Sequence, residues 1–303
     1  MNDLPTPHFS LIIPTLNRLD DMRRLFVSLR ESTLQDFEVI VIDQNDGPLL
    51  DALCEEFKSA FPLRWEKIKP IGVAHARNFG FQFARGEIIN FPDDDCELTP
   101  DLLRNVSERF TASPDLDMLF GRAVDKESLQ RSVTRFSEQA QPVTPGNVFS
   151  TTVEFTMFLR CEIYTEVGGL DEKLGVGTYY GAEEGSDFVL RALYKKKKLH
   201  YDPSLLFYHA QKVGRYDAKE FARAFSYGRG FGRLTVKHWF VYHQPGALIR
   251  FLHFQARASV AVLLFAAQLK FPKSRYYLST ILGRIVGVVR CFGEFCCADR
   301  TAN

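Results

Sequence analysis

The sequence has few of the features that mark a secreted or membrane-spanning protein. It holds six cysteines among 303 residues and no C-x-x-C pair, which argues against a disulfide framework or a zinc site and fits a reducing compartment. Residues 1–7 are polar and lead directly into an apolar run, so no signal peptide is expected. No uncharged apolar run reaches the roughly 18 residues that a spanning helix needs. These absences favour a cytoplasmic location.

A large net charge is also lacking, because the formal charge of the whole chain is +1. This balance hides two regions of opposite sign. Residues 1–210 carry 23 Lys and Arg against 33 Asp and Glu, whereas residues 211–303 carry 15 against 4, giving net charges of −10 and +11. A basic region attracts phosphate, in a lipid or a nucleic acid. Since no nucleic-acid-binding module is recognisable, we expect an anionic membrane surface as the partner and no nucleic acid.

Apolar runs and helical patterns alternate along the first 210 residues. Residues 9–13, 37–42, 63–68 and 87–91 predict buried strands, and helical patterns of about 12 residues separate them. This alternation predicts an α/β domain with a mostly parallel sheet flanked by helices. Beyond residue 210 the composition becomes basic and aromatic with helical patterns, so the chain is expected to divide into a domain of residues 1–210 and a helical extension of residues 211–303.

Three adjacent carboxylates, Asp93, Asp94 and Asp95, directly follow a predicted buried strand. They repel one another unless a divalent cation or hydrogen-bond donors offset their charge. Ligands of open α/β sheets bind at the carboxyl ends of the strands, so a ligand site is expected here. The alternative is a solvated acidic turn or a helix cap, which the position after a buried strand makes less favourable.

Two further features could belong to the same site. Glu183, Glu184 and Asp187 form a second acidic group, and Glu184 and Asp187 share a face if a helix begins there. Helix capping is the alternative interpretation. His209 follows the apolar run 205–208 and is either structural or a neutral imidazole ligand that completes a metal site begun by carboxylates.

Six segments resemble, in order and spacing, those of family 2 glycosyltransferases. They are FSLIIPTLN at 9–17, VIVID at 39–43, GVAHARNFG at 72–80, GEIINFPDDD at 86–95, GGLD at 168–171, and EGSDFVLR at 184–191 followed by Tyr208-His209. The resemblance covers about residues 9–210. It implies a GT-A fold, a nucleoside-diphosphate-sugar donor and inversion of the anomeric centre.

The resemblance also implies a nucleotide-binding set. Its members match the loop that closes on the nucleotide, the positions that contact the base, and the segment beside the diphosphate: Pro14, Thr15 and Asn17; Asp43 and Gln44; Gly72 and Arg77. Many members carry a second Asp where this chain has Gln44. A UDP-sugar is the favoured donor.

The DxD motif of the family matches Asp93 and Asp95, which with His209 form the implied metal site. Asp95 is expected to bind Mn²⁺ or Mg²⁺, while Asp93 and Asp94 face the ribose or the waters of the metal. A hard cation between carboxylate and diphosphate offsets the charge that develops on the leaving group.

The implied general base is a carboxylate at the second acidic group. Many members carry Glu-Asp followed by a further Asp, whereas this chain reads Glu184-Gly185-Ser186-Asp187, without the usual second acid. Glu184 or Asp187 is therefore expected to deprotonate the acceptor hydroxyl, with Glu184 favoured.

The function expected is metal-assisted transfer of a sugar to a glycan or a lipid-linked acceptor. The altered acid motif leaves open a non-catalytic scaffold docked to a membrane assembly. A nucleotidyltransferase is disfavoured, because no Gly-rich phosphate loop with a Lys follows the first strand. The basic helices are expected to lie on the cytoplasmic membrane surface without spanning it, since residues 258–269 are apolar for only 12 residues. Packing on the domain or forming a homodimer is the alternative.

Overall fold

The computed structural model describes residues 6–133, 136–210 and 216–301. The side chains of 296–301, which include Cys296 and Cys297, lie outside the described set. The chain forms two compact units: a sheet unit of residues 1–170 and 185–212, and a helical unit of residues 171–184 and 213–303. Composition placed a division near residue 211 but did not separate 171–184, because this Gly-rich segment carries neither a strand nor a helix period.

In the part of the chain that the structure describes, nine strands form one sheet: β1 Phe9–Thr15, β2 Phe37–Asp43, β3 Leu63–Lys67, β4 Ile88–Asn90, β5 Cys96–Leu98, β6 Met118–Val124, β7 Gln141–Pro142, β8 Met157–Arg160 and β9 Leu199–His209. The first seven helices are α1 Leu19–Arg30, α2 Asp51–Phe57, α3 Val73–Phe81, α4 Leu102–Ala112, α5 Val148–Thr151, α6 Cys161–Val167 and α7 Glu184–Tyr194. A short 3₁₀ turn, Glu154–Thr156, precedes β8.

The sheet has the strand order β3-β2-β1-β4-β8-β6-β9-β5, with β7 also paired to β9. Strands β3, β2, β1 and β4 are parallel, as the sequence predicts. Beyond them the pairing is mixed: β8 is antiparallel to β4 and β6, β6 is parallel to β9, and β5 is antiparallel to β9. The α/β class with a central sheet flanked by helices is confirmed. The sheet of the described residues is mixed rather than mostly parallel, because β1–β2, β1–β4, β2–β3 and β6–β9 are parallel and the other four pairings are antiparallel.

Strands β1 and β2 are buried at every one of their residues, which explains why they are mostly apolar; the polar exceptions Ser10 and Glu38 bond to each other at 2.7 Å. The sequence ends the first strand before Pro14, but β1 continues through Thr15. Strand β4 pairs with β1 only as far as Leu11. Pro14 therefore lies beyond the β1–β4 pairing, so β4 requires no backbone N–H from it.

Among its described residues, the helical unit contains three long helices, α8 Ala218–Phe240, α9 Pro245–Ala267 and α10 Phe271–Thr301. Helices α8 and α10 approach each other through glycines four residues apart, Gly228 and Gly232 on α8 and Gly283 and Gly287 on α10. A Cβ on Gly283 would lie 2.1 Å from the carbonyl oxygen of Phe225. The missing side chains thus let the two backbones touch, as small residues spaced by four do in closely packed helix pairs.

Helix α9 is mostly exposed and apolar. An 18-residue window within it has a mean hydropathy of 1.4, and 6% of that window is buried. Among the described residues it is the one helix that is long and apolar enough, by length and composition alone, to cross a membrane. The sequence pattern isolates only its second half, because Arg250 and Arg257 interrupt the apolar run.

Candidate active site

The carboxyl ends of several strands meet at one edge of the sheet. Thr15 at the end of β1 lies beside Asp43 at the end of β2, and Asp43 lies beside Lys67 at the end of β3. The turn that follows β4 carries the three aspartates and leads into β5, which pairs with the end of β9. The fold therefore brings together segments that are far apart in the sequence.

His209 and Asp95 meet at this edge. Cys96 lies opposite His209 in the β5–β9 register, and the His209 Nε2 lies 3.3 Å from the Asp95 Oδ1. The His209 Nδ1 donates a hydrogen bond to the Ala210 carbonyl oxygen at 2.9 Å, and Phe155 stacks on the ring with centroids 5.4 Å apart. With Nδ1 engaged by the Ala210 carbonyl, Nε2 is the ring nitrogen that points toward Asp95, the orientation that a metal-binding histidine requires.

These two side chains fit a divalent metal as part of its coordination shell. Among the described side chains, those of residues 6–133, 136–210 and 216–295, no group of three His, Cys, Asp or Glu could hold a metal ion. Asp95 and His209 would therefore supply two ligands, with the remainder from water or substrate phosphate, as is usual for Mg²⁺ in nucleotide sites. A ligand role for Asp93 stays a prediction.

Asp93 is paired with a buried cation instead. The Arg77 Nη2 lies 2.7 Å from the Asp93 Oδ1, and Arg77 is only 2% exposed. Desolvation raises the pKa of Asp93, Arg77 opposes this effect, and the nearby carboxylates Asp95 and Glu154 add to it. Arg77 is thus the cation that holds the first aspartate in place, and its predicted contact with the diphosphate remains a prediction.

Asp94 shows how crowded with negative charge this turn is. Burial raises its pKa to about 7, the Thr15 hydroxyl opposes the rise, and Asp93 and Asp95 contribute to it. A carboxylate cluster that resists ionisation is one that a bound cation would stabilise.

The residues predicted to contact the nucleotide base are connected by hydrogen bonds. Asp43 is fully buried and accepts hydrogen bonds at Oδ1 from the backbone and side-chain nitrogens of Asn45, at 2.8 and 2.6 Å. The Asn45 Oδ1 in turn accepts a bond from the Asn17 backbone N–H at 2.8 Å, and Asn17 has a positive φ of 59°. The sequence did not point to Asn45, because Asn-Asp-Gly resembles an ordinary turn.

Gln44 connects the same network to helix α3. Its Oε1 accepts a hydrogen bond from the Gly72 backbone N–H at 2.7 Å, and its own N–H donates to the Thr15 carbonyl oxygen at 3.0 Å. The Gln44 side-chain oxygen is therefore used to position the loop before α3. Its contact with the base, like those of Pro14, Thr15 and Asn17, remains a prediction.

The two acids predicted as general base differ in their surroundings. Asp187 is fully buried and accepts a hydrogen bond from the Arg191 Nε at 2.8 Å. Arg191 also donates to the carbonyl oxygens of Val167 and Gly169 at 2.7 and 2.5 Å. This geometry favours a structural role for Asp187. Glu184 is the first residue of α7 and 6% exposed, and its role as base stays a prediction.

Glu154 is an acid of this site that sequence reasoning missed. It lies in the 3₁₀ turn next to Phe155, the residue that stacks on His209. Its Oε1 accepts a hydrogen bond from the Gly185 backbone N–H at 3.2 Å. No sequence motif marks Glu154, and the only available signal is the absence of an acid at position 185.

Comparisons with known proteins bear on the family of this chain. The sequence model described as glycosyl transferase family 2 matches residues 10–168, more than half of the chain. An uncharacterized glycosyltransferase of Haemophilus influenzae is 24% identical over 195 residues, which cover 61% of this chain and 61% of that protein. The chain thus spans less than two thirds of the length of this curated relative.

Solved structures share the fold. TarS 1–349 of S. aureus in complex with UDP-GlcNAc has a TM-score of 0.58 at 18% identity, covering 90% of each chain. The mannosyltransferase PcManGT of Pyrobaculum calidifontis, in complex with GDP-Man and Mn²⁺, has a TM-score of 0.61 at 17% identity, covering 92% of this chain and 87% of the other. With the aspartate turn and His209 placed at the ends of this sheet, the chain has the GT-A fold and belongs to glycosyltransferase family 2.

Proposed function

We propose that the protein transfers a sugar from a nucleoside-diphosphate sugar to a hydroxyl of a glycan or lipid-linked acceptor, with inversion and with the help of Mn²⁺ or Mg²⁺. The observation that carries the proposal is the pairing of Asp95 with His209, whose Nε2 faces the carboxylate at 3.3 Å while Nδ1 is held by Ala210. A UDP-sugar is the favoured donor. The neighbours of similar fold bind UDP-GlcNAc and GDP-Man, so both nucleotides belong in the test.

Different residues at this edge of the sheet would bind the nucleotide base and the metal. Asp43, buried and oriented by Asn45 and Trp65, would accept hydrogen bonds from the base. Asp95 and His209 would hold the metal, which when bound offsets the negative charge of the diphosphate leaving group. Arg77 holds Asp93 beside this site and so keeps the aspartate turn in position.

The reaction itself requires one proton acceptor. The acceptor oxygen attacks the anomeric carbon on the face opposite the diphosphate, so the configuration inverts. A carboxylate near the start of α7 takes the hydroxyl proton as the new bond forms, the task for which carboxylates serve in related glycosyl chemistry.

The test is a thermal-unfolding screen of the full chain with UDP, GDP, UDP-GlcNAc and GDP-Man, each with and without Mn²⁺. At a ligand concentration of a hundred times Kd, binding stabilises the native state by about 2.7 kcal/mol. One nucleotide is expected to stabilise the protein, and more so with Mn²⁺. If none does, the proposal is wrong. If a nucleotide sugar binds but is never cleaved, the scaffold alternative is favoured.

We also propose that the helical unit holds the protein on the cytoplasmic face of an anionic membrane. Two observations support this location. Residues 211–303 carry a net charge of +11, and α9 exposes large apolar side chains, including Ile249, Leu252 and Leu263 at 68, 58 and 71%. Cations that meet headgroups and apolar side chains that enter the interface characterise helices lying on a membrane. A second copy of the chain covering α9 is the competing outcome.

A further inference from the structure

In the first turn of α7, the side chain of Glu154 from the 3₁₀ turn fills the space beside Gly185. Gly185 has no side chain, and a Cβ built on it would lie 2.0 Å from the Cγ and 2.5 Å from the Cδ and Oε1 of Glu154. A side chain at 185 and the observed conformation of Glu154 therefore exclude each other. The carboxylate of Glu154 occupies the volume that an acidic side chain at position 185 would enter.

The surroundings of Glu154 are those of a carboxylate available for proton transfer. Its side chain is partly exposed, and its hydrogen bond comes from a neutral backbone N–H, that of Gly185. Among the described residues, no Lys, Arg or His forms an ion pair with it. Other buried or half-buried acids of the site are engaged by cations: Asp187 by Arg191 and Asp93 by Arg77.

Glu154 also lies close to the aspartate turn. Its charge contributes to raising the pKa of Asp93, and the next residue, Phe155, stacks on the ring of His209. An acid that forms no ion pair with a described cation is thus held beside the residues that we assign to the donor and the metal.

We infer that Glu154 is the general base of the transfer reaction, supplied by the 3₁₀ turn in place of the acid that is missing from the start of α7. The inference rests on the proposed function. The acceptor O–H bond breaks and its proton passes to the Glu154 carboxylate, while the oxygen bonds to the anomeric carbon. The bond from that carbon to the diphosphate oxygen breaks, and the nucleoside diphosphate leaves with the electron pair.

The first experiment compares Glu154→Gln with the wild type. The readout is release of UDP from UDP-GlcNAc, or of GDP from GDP-Man, with Mn²⁺ present and water as the acceptor. Loss of a general base typically costs about 10²–10⁴-fold in rate. We therefore expect turnover to fall at least a hundredfold, while the Kd for the nucleotide with Mn²⁺ stays within about twofold. Glu108→Gln, an exposed acid on α4, is the matched control and should keep wild-type turnover.

The second experiment moves the carboxylate. Glu154→Ala removes it and opens the space above Gly185, and Glu154→Ala combined with Gly185→Asp returns an acid to the same volume from α7. We expect the double variant to regain at least tenfold over Glu154→Ala. Rescue by an acid on a different element separates a catalytic role from a structural one. If Glu154→Gln does not fold, the double variant is compared directly with Glu154→Ala.

The outcomes distinguish this inference from the proposed function. A wild-type protein that binds and cleaves no nucleotide sugar overturns both. An active wild type whose Glu154→Gln variant retains its turnover overturns the inference alone, as does loss of turnover in Glu184→Gln only. Failure of the double variant to recover, with nucleotide binding intact, assigns Glu154 to structure.

Discussion

At the scale of single residues, Asp95 should decide metal-dependent binding. It faces the His209 Nε2 at 3.3 Å, and no third protein ligand is available among the described residues. Asp95→Asn removes one of two ligands, so we expect the Mn²⁺-dependent part of UDP or GDP binding to disappear. Isothermal titration of the nucleotide with and without Mn²⁺ measures this effect.

Asp115→Asn is the matched control for that variant. Asp115 forms a surface ion pair with Lys198, far from the aspartate turn in sequence and with both side chains well exposed. Its loss should leave nucleotide binding and the effect of Mn²⁺ unchanged. Equal Mn²⁺-dependent affinity in Asp95→Asn and the wild type would show that the metal site has been assigned wrongly.

Substitution of Asp187 should lower the stability of the fold rather than the rate of turnover. Its carboxylate is fully buried against Arg191, which is 7% exposed. Breaking a buried pair by removing one charge costs about 3 kcal/mol or more, because the remaining charge loses its compensation. We expect Asp187→Asn to lower the free energy of unfolding by about 3 kcal/mol in urea titrations. Wild-type stability with a large loss of turnover would instead return Asp187 to the catalytic role predicted from sequence.

At the scale of elements, the sequence revealed strands that are buried on both faces. Strands β1 and β2 are mostly apolar, and a run of that kind is recognisable without knowledge of its neighbours. Strands β5 and β8 have only three and four residues, and β6 contains Gly121 and Arg122. Their pairing depends on partners distant in the chain, so no local pattern predicts them.

Glycine packing between α8 and α10 can be tested within one helix. Gly283→Ala would place its Cβ 2.1 Å from the Phe225 carbonyl oxygen, so the helices must separate. Overpacking of this kind costs about 1–3 kcal/mol. We expect a lower unfolding temperature of the helical unit, measured by calorimetry.

Gly293→Ala on the same helix is the control, because nothing lies within 4 Å of a Cβ built there. Replacing an exposed helical Gly by Ala should stabilise the protein by about 0.5–1 kcal/mol. Equal effects of the two substitutions would contradict the close approach of α8 and α10.

At the scale of the whole molecule, the separation of charge predicts salt-dependent membrane binding. The full chain should float with anionic vesicles at low salt and less so at high salt, since screening shortens the reach of its cations. Leu263→Glu, on the exposed face of α9, should reduce flotation. Leu129→Glu, also exposed but in the sheet unit, should not.

Two further results would change this interpretation. Vesicle-bound protein that resists alkaline extraction would show that α9 spans the bilayer, for which it is long enough. No flotation with anionic vesicles at low salt would favour packing between copies of the chain, which the concentration dependence of sedimentation would reveal.

The sequence identified the members of the candidate site that lie at strand ends. Asp43 and Asp95 come after apolar runs, and the resemblance added His209, which the structure places beside Asp95. The sequence could not predict the role of Glu154, because its position depends on a contact with Gly185, 31 residues away in the chain. It also could not show that Arg191 engages Asp187, because a carboxylate at the start of a helix has the same appearance whether it is buried or free.

The assignment of residues 171–184 to the helical unit has a consequence for exchanging parts between relatives. Asp171 is paired with Arg233 and Lys237 on α8, and Tyr180 bonds to Glu294 on α10. A chimera that takes its last hundred residues from another member would keep this segment but lose every one of those partners. A transplant that carries 171–184 along with the helices would keep each pair together. The unit that can be exchanged between relatives therefore consists of two separate segments of the chain, residues 171–184 and 213–303.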